Sequence, residues 1–348
     1  MTNIAIVGAG TMGTMHAASC RNLPGVDATW VVDPDRERAG ALAGPLGARA
    51  AGDLAEALAD PALDAVVVAV PTPFHRALTE QAAAAGKHVF CEKPIALTLA
   101  DAAAMNDACR RAGVRFMVGH VVRFFPEYVR IRELLAEGAV GHVGVVRAAR
   151  LNAYPYAGRS WYANFDWSGG PIVDMMIHDL DTLRWYFGEV ERVYARGLSY
   201  SPHRTAVDYA LALLRFGDGT IAHVETSWAH TSFRTAIEIA GSDGIIRHSS
   251  EETAALRLEQ TAPPDAMAGV QVPRGPLAES PYQAELRHFV DHLADGAPFL
   301  TSGDEATRSL ALALAVLESV RTGRAIPFAA GWPTLEEQTA NSRQPPAL

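Results

Sequence analysis

Cysteine is scarce: three in 348 residues, Cys20, Cys91 and Cys109, too few and too scattered for a disulfide framework or a thiolate metal site. Thiols left unpaired fit a reducing compartment. Positive charge is in deficit too, with 30 Lys and Arg against 39 Asp and Glu and a formal net charge of -9. No Lys/Arg block offsets that balance, so phosphate backbones and anionic surfaces are repelled on average, and nucleic acid is not an expected partner. No run of about 18 apolar residues is present to span a bilayer. Residues 2–8, TNIAIVG, enter a strand pattern at once and leave no space for the charged and apolar regions of a leader. The expectation from these absences is a cytoplasmic protein with no membrane partner.

What is present is ordinary globular composition, 49% hydrophobic and 20% charged, in a chain long enough for two domains. Up to about Gly119, short apolar runs alternate with Ala-rich helical stretches. The runs are IAIVG (4–8), ATWVVD (28–33), AVVVAV (65–70), HVFCE (88–92) and RFMVG (115–119). Apolar character without polar alternation marks strands covered on both faces, hence a parallel sheet between helical layers. Helices are expected over Thr11–Asn22, Asp35–Leu46, Leu54–Ala59, His75–Ala85 and Leu99–Ala112. Strand–helix alternation of this kind predicts a Rossmann-type, doubly wound α/β domain over 1–121.

Beyond about Val121 the grammar changes. A helix near Glu127–Glu137 precedes HVGVVRAARL (142–151), VERVYARGL (190–198), AVDYALALLRF and GTIAHVETSW around Gly217-Asp218-Gly219, then RTAIEIAG and GIIRHSS around Gly241-Ser242-Asp243-Gly244. Strands joined by Gly/Asp turns are hairpins, so 122–348 is expected to be an α+β domain with a large, mainly antiparallel open sheet. Residues 261–281 read as an irregular surface segment, and helices follow at Tyr282–Ala294 and Asp304–Thr322.

Gly8-Ala9-Gly10-Thr11-Met12-Gly13 is a G-x-G-x-x-G directly after the first strand and opening a helix. Glycines there let the backbone turn tightly and approach a pyrophosphate, while the helix N-terminus offers N–H groups and a positive dipole end. By itself the motif is weak, since glycine turns also serve packing. Asp33, however, ends the second strand 20 residues after Gly13, where an acid bonds the adenosine ribose. A carboxylate there competes with a 2′-phosphate, so NAD is favoured over NADP. Arg36 and Arg38, close behind, would soften that exclusion, or are solvated residues of the next helix.

Two further segments carry chemistry-bearing side chains. Cys91-Glu92-Lys93-Pro94 sits at the carboxyl end of the fourth apolar run, the edge where open α/β sheets bind ligands. There Lys93 either reaches a substrate oxygen or is a solvated loop charge. The second segment is Gly169-Gly170-Pro171-Ile172-Val173-Asp174-Met175-Met176-Ile177-His178-Asp179-Leu180-Asp181. Pro171 suits a first helical position, which puts Asp174 and His178 at i and i+4 on one face, with Asp181 extending the row. Met176, Leu180, Leu183 and Phe187 lie nearly opposite, so periodicity predicts a polar, solvated face for the Asp174 row.

In this order, G-x-G-x-x-G, E-K-P after a later strand, then G-G-x-x-x-D-x-x-x-H, the chain resembles the Gfo/Idh/MocA oxidoreductases. Pro71-Thr72-Pro73-Phe74-His75, Gly119-His120-Val121-Val122-Arg123-Phe124-Phe125-Pro126 and Tyr282-Gln283-Ala284-Glu285-Leu286-Arg287-His288-Phe289 are similar to further family segments. The likeness covers residues 3 to about 328, and MIHDLD-T-LRW looks most like the inositol and sugar dehydrogenase branch. The junction departs from the pattern, with His120 and Val121 where the family often has Asn.

The resemblance implies an NAD-dependent dehydrogenase acting on CH–OH groups of a polyhydroxy small molecule. Lys93 would be its catalytic lysine, His178 the proton-transfer residue and Asp174 the carboxylate orienting it. Gly8, Gly10, Thr11, Met12, Gly13, Asp33, Pro71, Thr72, His75, Glu92 and Lys93 would hold the cofactor. Substrate contacts are expected from Lys93, Arg123, Asp174 and His178. Tyr156 and Trp161, in the aromatic loop 152–167, either line that site or pack a junction or subunit contact. The family's open sheet commonly forms dimer or tetramer contacts, so a homo-oligomer through the C-terminal sheet is implied. No metal is expected. Asp174, His178 and Asp181 supply metal-ligand types on one helical face, but a metal explains neither Asp33 nor the glycines. A non-catalytic dinucleotide-binding regulator and a redox-neutral, NAD-dependent glycoside-cleaving enzyme are the alternatives carried forward.

Overall fold

The structure is a computed structural model, and it describes residues 1–155, 161–199, 207–251 and 279–328. It divides into two compact units. The first comprises Met1–Phe125 with the later segment that ends at Arg308. Its six strands, β1 (Thr2–Val7), β2 (Val26–Val32), β3 (Arg49–Ala51), β4 (Ala65–Val68), β5 (His88–Glu92) and β6 (Phe116–Gly119), form one parallel sheet in the order β3-β2-β1-β4-β5-β6. The order reverses at β1 and β4, and that switch point is where doubly wound sheets open a ligand crevice. Connecting helices are α1 (Thr11–Asn22), α2 (Arg36–Ala43), α3 (Leu54–Leu58), α4 (His75–Ala84) and α5 (Leu99–Ala112).

Five of these strands are the apolar runs of the sequence, and Ile4, Ile6, Val67, Phe90 and Met117 stand in a single core. The short β3, RAA, carries no such signal and is an edge strand paired only with β2. Helix starts follow side-chain caps: Asp35 accepts from the Glu37 and Arg38 amides, Asp53 from Ala55 and Thr98 from Asp101. α1 differs. Its cap is Gly10, with no side-chain bond and no acid in the first turn. Helix α9 (Pro281–Asp295) belongs to this unit as well, with Leu286 and Phe289 in the same core and Phe289 edge-on to Phe90. The sequence division at 121/122 put α9 with the second part; these apolar contacts group it with the parallel sheet.

The second unit starts at Pro126 and includes the remainder of α10 (Gly303–Thr322) from Ser309. After α6 (Pro126–Ala136), its sheet contains β7 (Val143–Leu151), β8 (Val190–Leu198), β9 (Tyr209–Phe216), β10 (Ile221–Ser227), β11 (Arg234–Gly241), β12 (Ile245–Ser249) and β13 (Ile326–Pro327). Their order is β12-β11-β7-β10-β9-β8-β13, antiparallel except for β10 beside β7. Along β9, Ala210, Ala212, Leu214 and Phe216 point inward while Leu211, Leu213 and Arg215 point out, the period-2 pattern of a sheet covered on one face. The short α7 (Phe165–Ser168), a π-turn at Ile172–Met176 and α8 (Ile177–Phe187) complete the unit. Most of residues 261–281, expected from sequence to be an irregular segment, lie outside the described residues. Among the described residues no helix is long and apolar enough to cross a membrane.

Candidate active site

The three glycines of the first turn answer to different demands. Gly8 has φ +101°, and a Cβ there would collide with the carbonyl oxygen of Ala69. A Cβ on Gly13 would collide with the carbonyl oxygen of Gly8. Both are required by the turn itself. At Gly10 the nearest atom to an added Cβ is Arg38 Nη2, at 3.8 Å, so that flank is open. The first turn of α1 therefore presents amides of Thr11, Met12 and Gly13, which have no carbonyl one turn earlier to bond, toward space a side chain would occupy. A pyrophosphate fits there, with no acidic side chain in the turn to repel it.

Asp33 is held ready at the end of β2. Its Oδ2 accepts from the Ala9 amide at 2.8 Å and its Oδ1 from the Asp35 amide at 3.0 Å. A carboxylate oxygen has a second lone pair, so each retains capacity for a ribose hydroxyl. The two arginines behind it have separate partners: Arg36 Nη2 bonds Glu56 at 2.7 Å, and Arg38 Nη2 donates to the Ala9 carbonyl at 3.2 Å.

Past β4, Pro71 precedes a short 3-10 turn over Thr72–Phe74. The Thr72 hydroxyl is buried with no hydrogen-bond partner among the described residues. His75 is buried, with Nε2 2.9 Å from the Val70 carbonyl and Nδ1 3.0 Å from that of Pro94. Burial holds its pKa below the ordinary histidine value, against the pull of those carbonyls and the Glu92 carboxylate. His75 thus clamps the loop after β4 to the loop after β5. From Val89 on β5 through that second loop to Ala96, every residue is buried except Lys93. Glu92 points inward, to His16 Nε2 at 2.7 Å and to the Lys93 amide at 3.2 Å. Burial drives the neighbouring Cys91 thiol far above its ordinary pKa, so it is no nucleophile. Arg123 is buried, with Nη1 donating to the Leu300 carbonyl at 3.0 Å and Nη2 3.8 Å from Glu305.

In the second unit Gly169 and Gly170, both at φ +68°, turn the chain after α7, because side chains there would strike Val173 and Phe165. The expected α-helix from Pro171 opens instead with the π-turn at Ile172–Met176, which is wider than an α-turn and frequent at functional sites. From Ser168 to Arg184 only Asp174 and His178 are not buried. Of the row that periodicity placed in solvent, Asp174 and His178 are partly exposed while Asp181 is buried, as is the neighbouring Asp179, and the reason for both is internal pairing. Asp179 takes a bidentate bond from Arg150 at 2.9 and 3.0 Å, and Asp181 accepts from Ser309 Oγ at 2.8 Å. Asp181 is thereby turned into the core, and among the described residues no cluster of three His, Cys, Asp or Glu groups arranged for a metal occurs. Trp161 is stacked on Tyr162 at 4.0 Å, whereas Tyr156 lies outside the described residues.

One residue escaped the sequence reading. His16 is fully buried in the stripe Gly13, His16, Ala17, Cys20 of α1, and a histidine inside an apolar stripe was the available signal. For Lys93 a stronger signal existed: the chain has only two lysines, Lys87 and Lys93, among its 30 basic residues. Lys87 is engaged by the carbonyls of Leu63 and Asp60.

Space for a pyrophosphate at Gly10, beside a carboxylate seated for a ribose, places the chain among the Rossmann-type dinucleotide oxidoreductases. Comparison with known proteins makes this particular. The chain belongs to the Gfo/Idh/MocA family: the model described as an oxidoreductase family with an NAD-binding Rossmann fold matches residues 2–120, and that of the GFO/IDH/MocA C-terminal domain matches 128–247. It is 33% identical to a D-apiose dehydrogenase of Paraburkholderia graminis, over 92% of this chain and 88% of that one. It is 30% identical to a myo-inositol 2-dehydrogenase of Thermotoga maritima, over 93% and 97%. GenD2 from gentamicin A biosynthesis, solved in complex with NAD, superposes with a TM-score of 0.84 at 29% identity, covering 94% of this chain and 97% of that one. The chain is an NAD-dependent oxidoreductase.

Proposed function

We propose that this chain oxidises a secondary hydroxyl of a sugar, inositol or related polyol, or reduces the matching ketone, with Lys93 and His178 as catalytic groups. The relatives named for D-apiose and myo-inositol support the substrate class. One observation supports the residue assignment: in two otherwise buried stretches, the partly exposed side chains are Lys93 in one and Asp174 and His178 in the other. These three are of the types that alcohol oxidation needs.

When bound, NAD supplies the hydride acceptor. The protein must remove the hydroxyl proton and stabilise the oxygen as it becomes alkoxide-like. A neutral imidazole is suited to the first task, with an unperturbed pKa of about 6.5. His178 takes that proton, and Asp174 orients its ring and bonds a neighbouring hydroxyl. The Lys93 ammonium bonds the reacting oxygen and stabilises its developing charge. Gly8, Gly10, Thr11, Met12, Gly13 and Asp33 hold the pyrophosphate and ribose, and Pro71, Thr72, His75 and Glu92 shape the nicotinamide side. Arg123, Tyr156 and Trp161 complete the substrate contacts. The parallel-sheet unit binds the dinucleotide and supplies Lys93, and the second unit supplies His178 and self-associates. The compartment is the cytoplasm, and NADP is the poorer cofactor.

The test is NADH formation from NAD across cyclic polyols, aldoses and glycosides. The expected outcome is net NADH with at least one polyol or aldose. Aglycone release without net NADH would replace this reading with redox-neutral glycoside cleavage. Tight NAD binding with no reduction across the panel would replace it with a regulator.

A further inference from the structure

The first unit contains a buried ionisable pair, Glu92 with His16, of which the reaction as described gives His16 no part. Glu92, the last residue of β5, directs its carboxylate inward, and His16 reaches it from α1 with Nε2 2.7 Å from Oε1. Strands β1 and β5 are separated in the sheet by β4, so this contact bridges a strand to join the helix of the glycine turn to the end of β5. The other oxygen, Oε2, accepts the backbone amide of Lys93 at 3.2 Å. His16 is fully buried and sits edge-on to Phe90 at 5.0 Å. Its Nδ1 is buried with no hydrogen-bond partner among the described residues. A buried polar atom left unsatisfied is a cost that an apolar residue in the same stripe would avoid. The compensating contact is the bond from Nε2.

We propose that His16, through the Glu92 carboxylate, is a positioning residue for Lys93. A buried carboxylate needs donors, and among the described residues Glu92 has two: the imidazole N–H and the amide of Lys93. Each fixes one oxygen, so the imidazole sets the rotation of the carboxylate and thereby the backbone from which the lysine side chain departs. Without His16 the carboxylate is free to turn toward another donor, and the Lys93 amide loses its fixed acceptor. Because His16 stands one turn past Gly13 on α1, the same bond ties the dinucleotide turn to the amine. This inference rests on the reading of Lys93 as a catalytic group, so its first readout is independent of catalysis.

Two lysines make that readout clean. Reductive methylation of the full-length chain with 13C-formaldehyde labels Lys87, Lys93 and the N-terminal amine, and Lys93→Ala assigns the Lys93 resonance. In His16→Leu the Lys93 signal and its titration should shift while those of Lys87 stay in place, and His16→Gln, which keeps a donor for Glu92, should restore them. With the polyol giving most NADH in the panel, kcat of His16→Leu should fall about 10- to 100-fold, the scale of a misplaced catalytic group, with NAD affinity nearly unchanged. If His16→Leu does not fold, Glu92→Gln carries the test and should again move Lys93 but not Lys87. An unmoved Lys93 signal, or equal shifts at both lysines, overturns the proposal, as does weakened NAD binding with full kcat. A shifted Lys93 signal in an enzyme whose Lys93→Ala variant turns over normally would keep the positioning role and remove the catalytic one.

Discussion

Substituting the glycines of the first turn one at a time separates folding from cofactor binding. Gly13→Ala puts a methyl group into the Gly8 carbonyl and should destabilise the fold by about 1–3 kcal/mol, read from the thermal midpoint. Gly10→Ala meets nothing closer than 3.8 Å, so the midpoint should hold while NAD affinity, titrated by fluorescence, falls by about 1–3 kcal/mol. Wild-type NAD affinity in Gly10→Ala would mean that the pyrophosphate does not lie against this turn. The glycine spacing was readable in the sequence, but which glycines the turn itself requires depends on Ala69 and Gly8, known only from coordinates. At the proposed catalytic positions, Lys93→Ala and His178→Ala should each lower kcat by about 100-fold or more. Near-normal turnover in both would defeat the assignment. Lys93 and His178 were found through motif order, since a lone lysine or a helical Asp/His pair says nothing of its own exposure.

Helix α8 shows why element type was easier to read than element environment. Period and glycines located a helix near Pro171, but Asp181 was read into the solvated Asp174–His178 row, and neither its burial nor that of Asp179 could be read, because a sequence does not display the partners that let charges go inside. Arg150 on β7 and Ser309 on α10 are those partners. Asp179→Asn should leave the Arg150 charge buried and poorly paired and remove about 3–5 kcal/mol of stability, measured by urea unfolding. A loss below 1 kcal/mol would show that the pair is dispensable. Helix α9 offers a pH-dependent case. The Leu300 amide donates to His288 Nε2 at 3.0 Å, which requires that nitrogen to be bare. Burial, followed by the adjacent His292, holds His288 at about 4, below its ordinary 6.5. The unfolded chain accepts a proton below pH 6.5 that the folded chain resists, so stability is intact above 6.5 and declines as pH falls toward 4. His288→Gln keeps an acceptor for Leu300 and should flatten that decline in the thermal midpoint. An identical slope in the variant would assign the effect elsewhere.

On the scale of the whole molecule, the outer face of the second unit's sheet carries Leu211, Leu213 and Ile221, all exposed, beside Arg147, Glu238 and Arg247 joined by ion pairs of 2.5 and 2.7 Å. Apolar groups clustered on a strand face with charges of both signs suit a second copy of the same surface. The proposed oligomer therefore predicts that Leu211→Glu, set opposite Glu225, reduces the sedimenting mass toward one chain. A monomeric wild type would remove the proposal. The return of α9 to the parallel sheet belongs to this scale also. The sequence marked a helix there but not which sheet would cover it, and Phe90 with Phe289 supplies the answer.

Local periodicity, turn chemistry and motif order were enough to determine two sheets of different kinds and the family, because each is carried by short segments and by their order along the chain. Only tertiary structure decided which polar groups are buried and with whom: Asp179 with Arg150, Asp181 with Ser309, His16 with Glu92. Those pairs lie 29, 128 and 76 residues apart, and a hydrogen bond between such distant positions leaves no local trace in sequence.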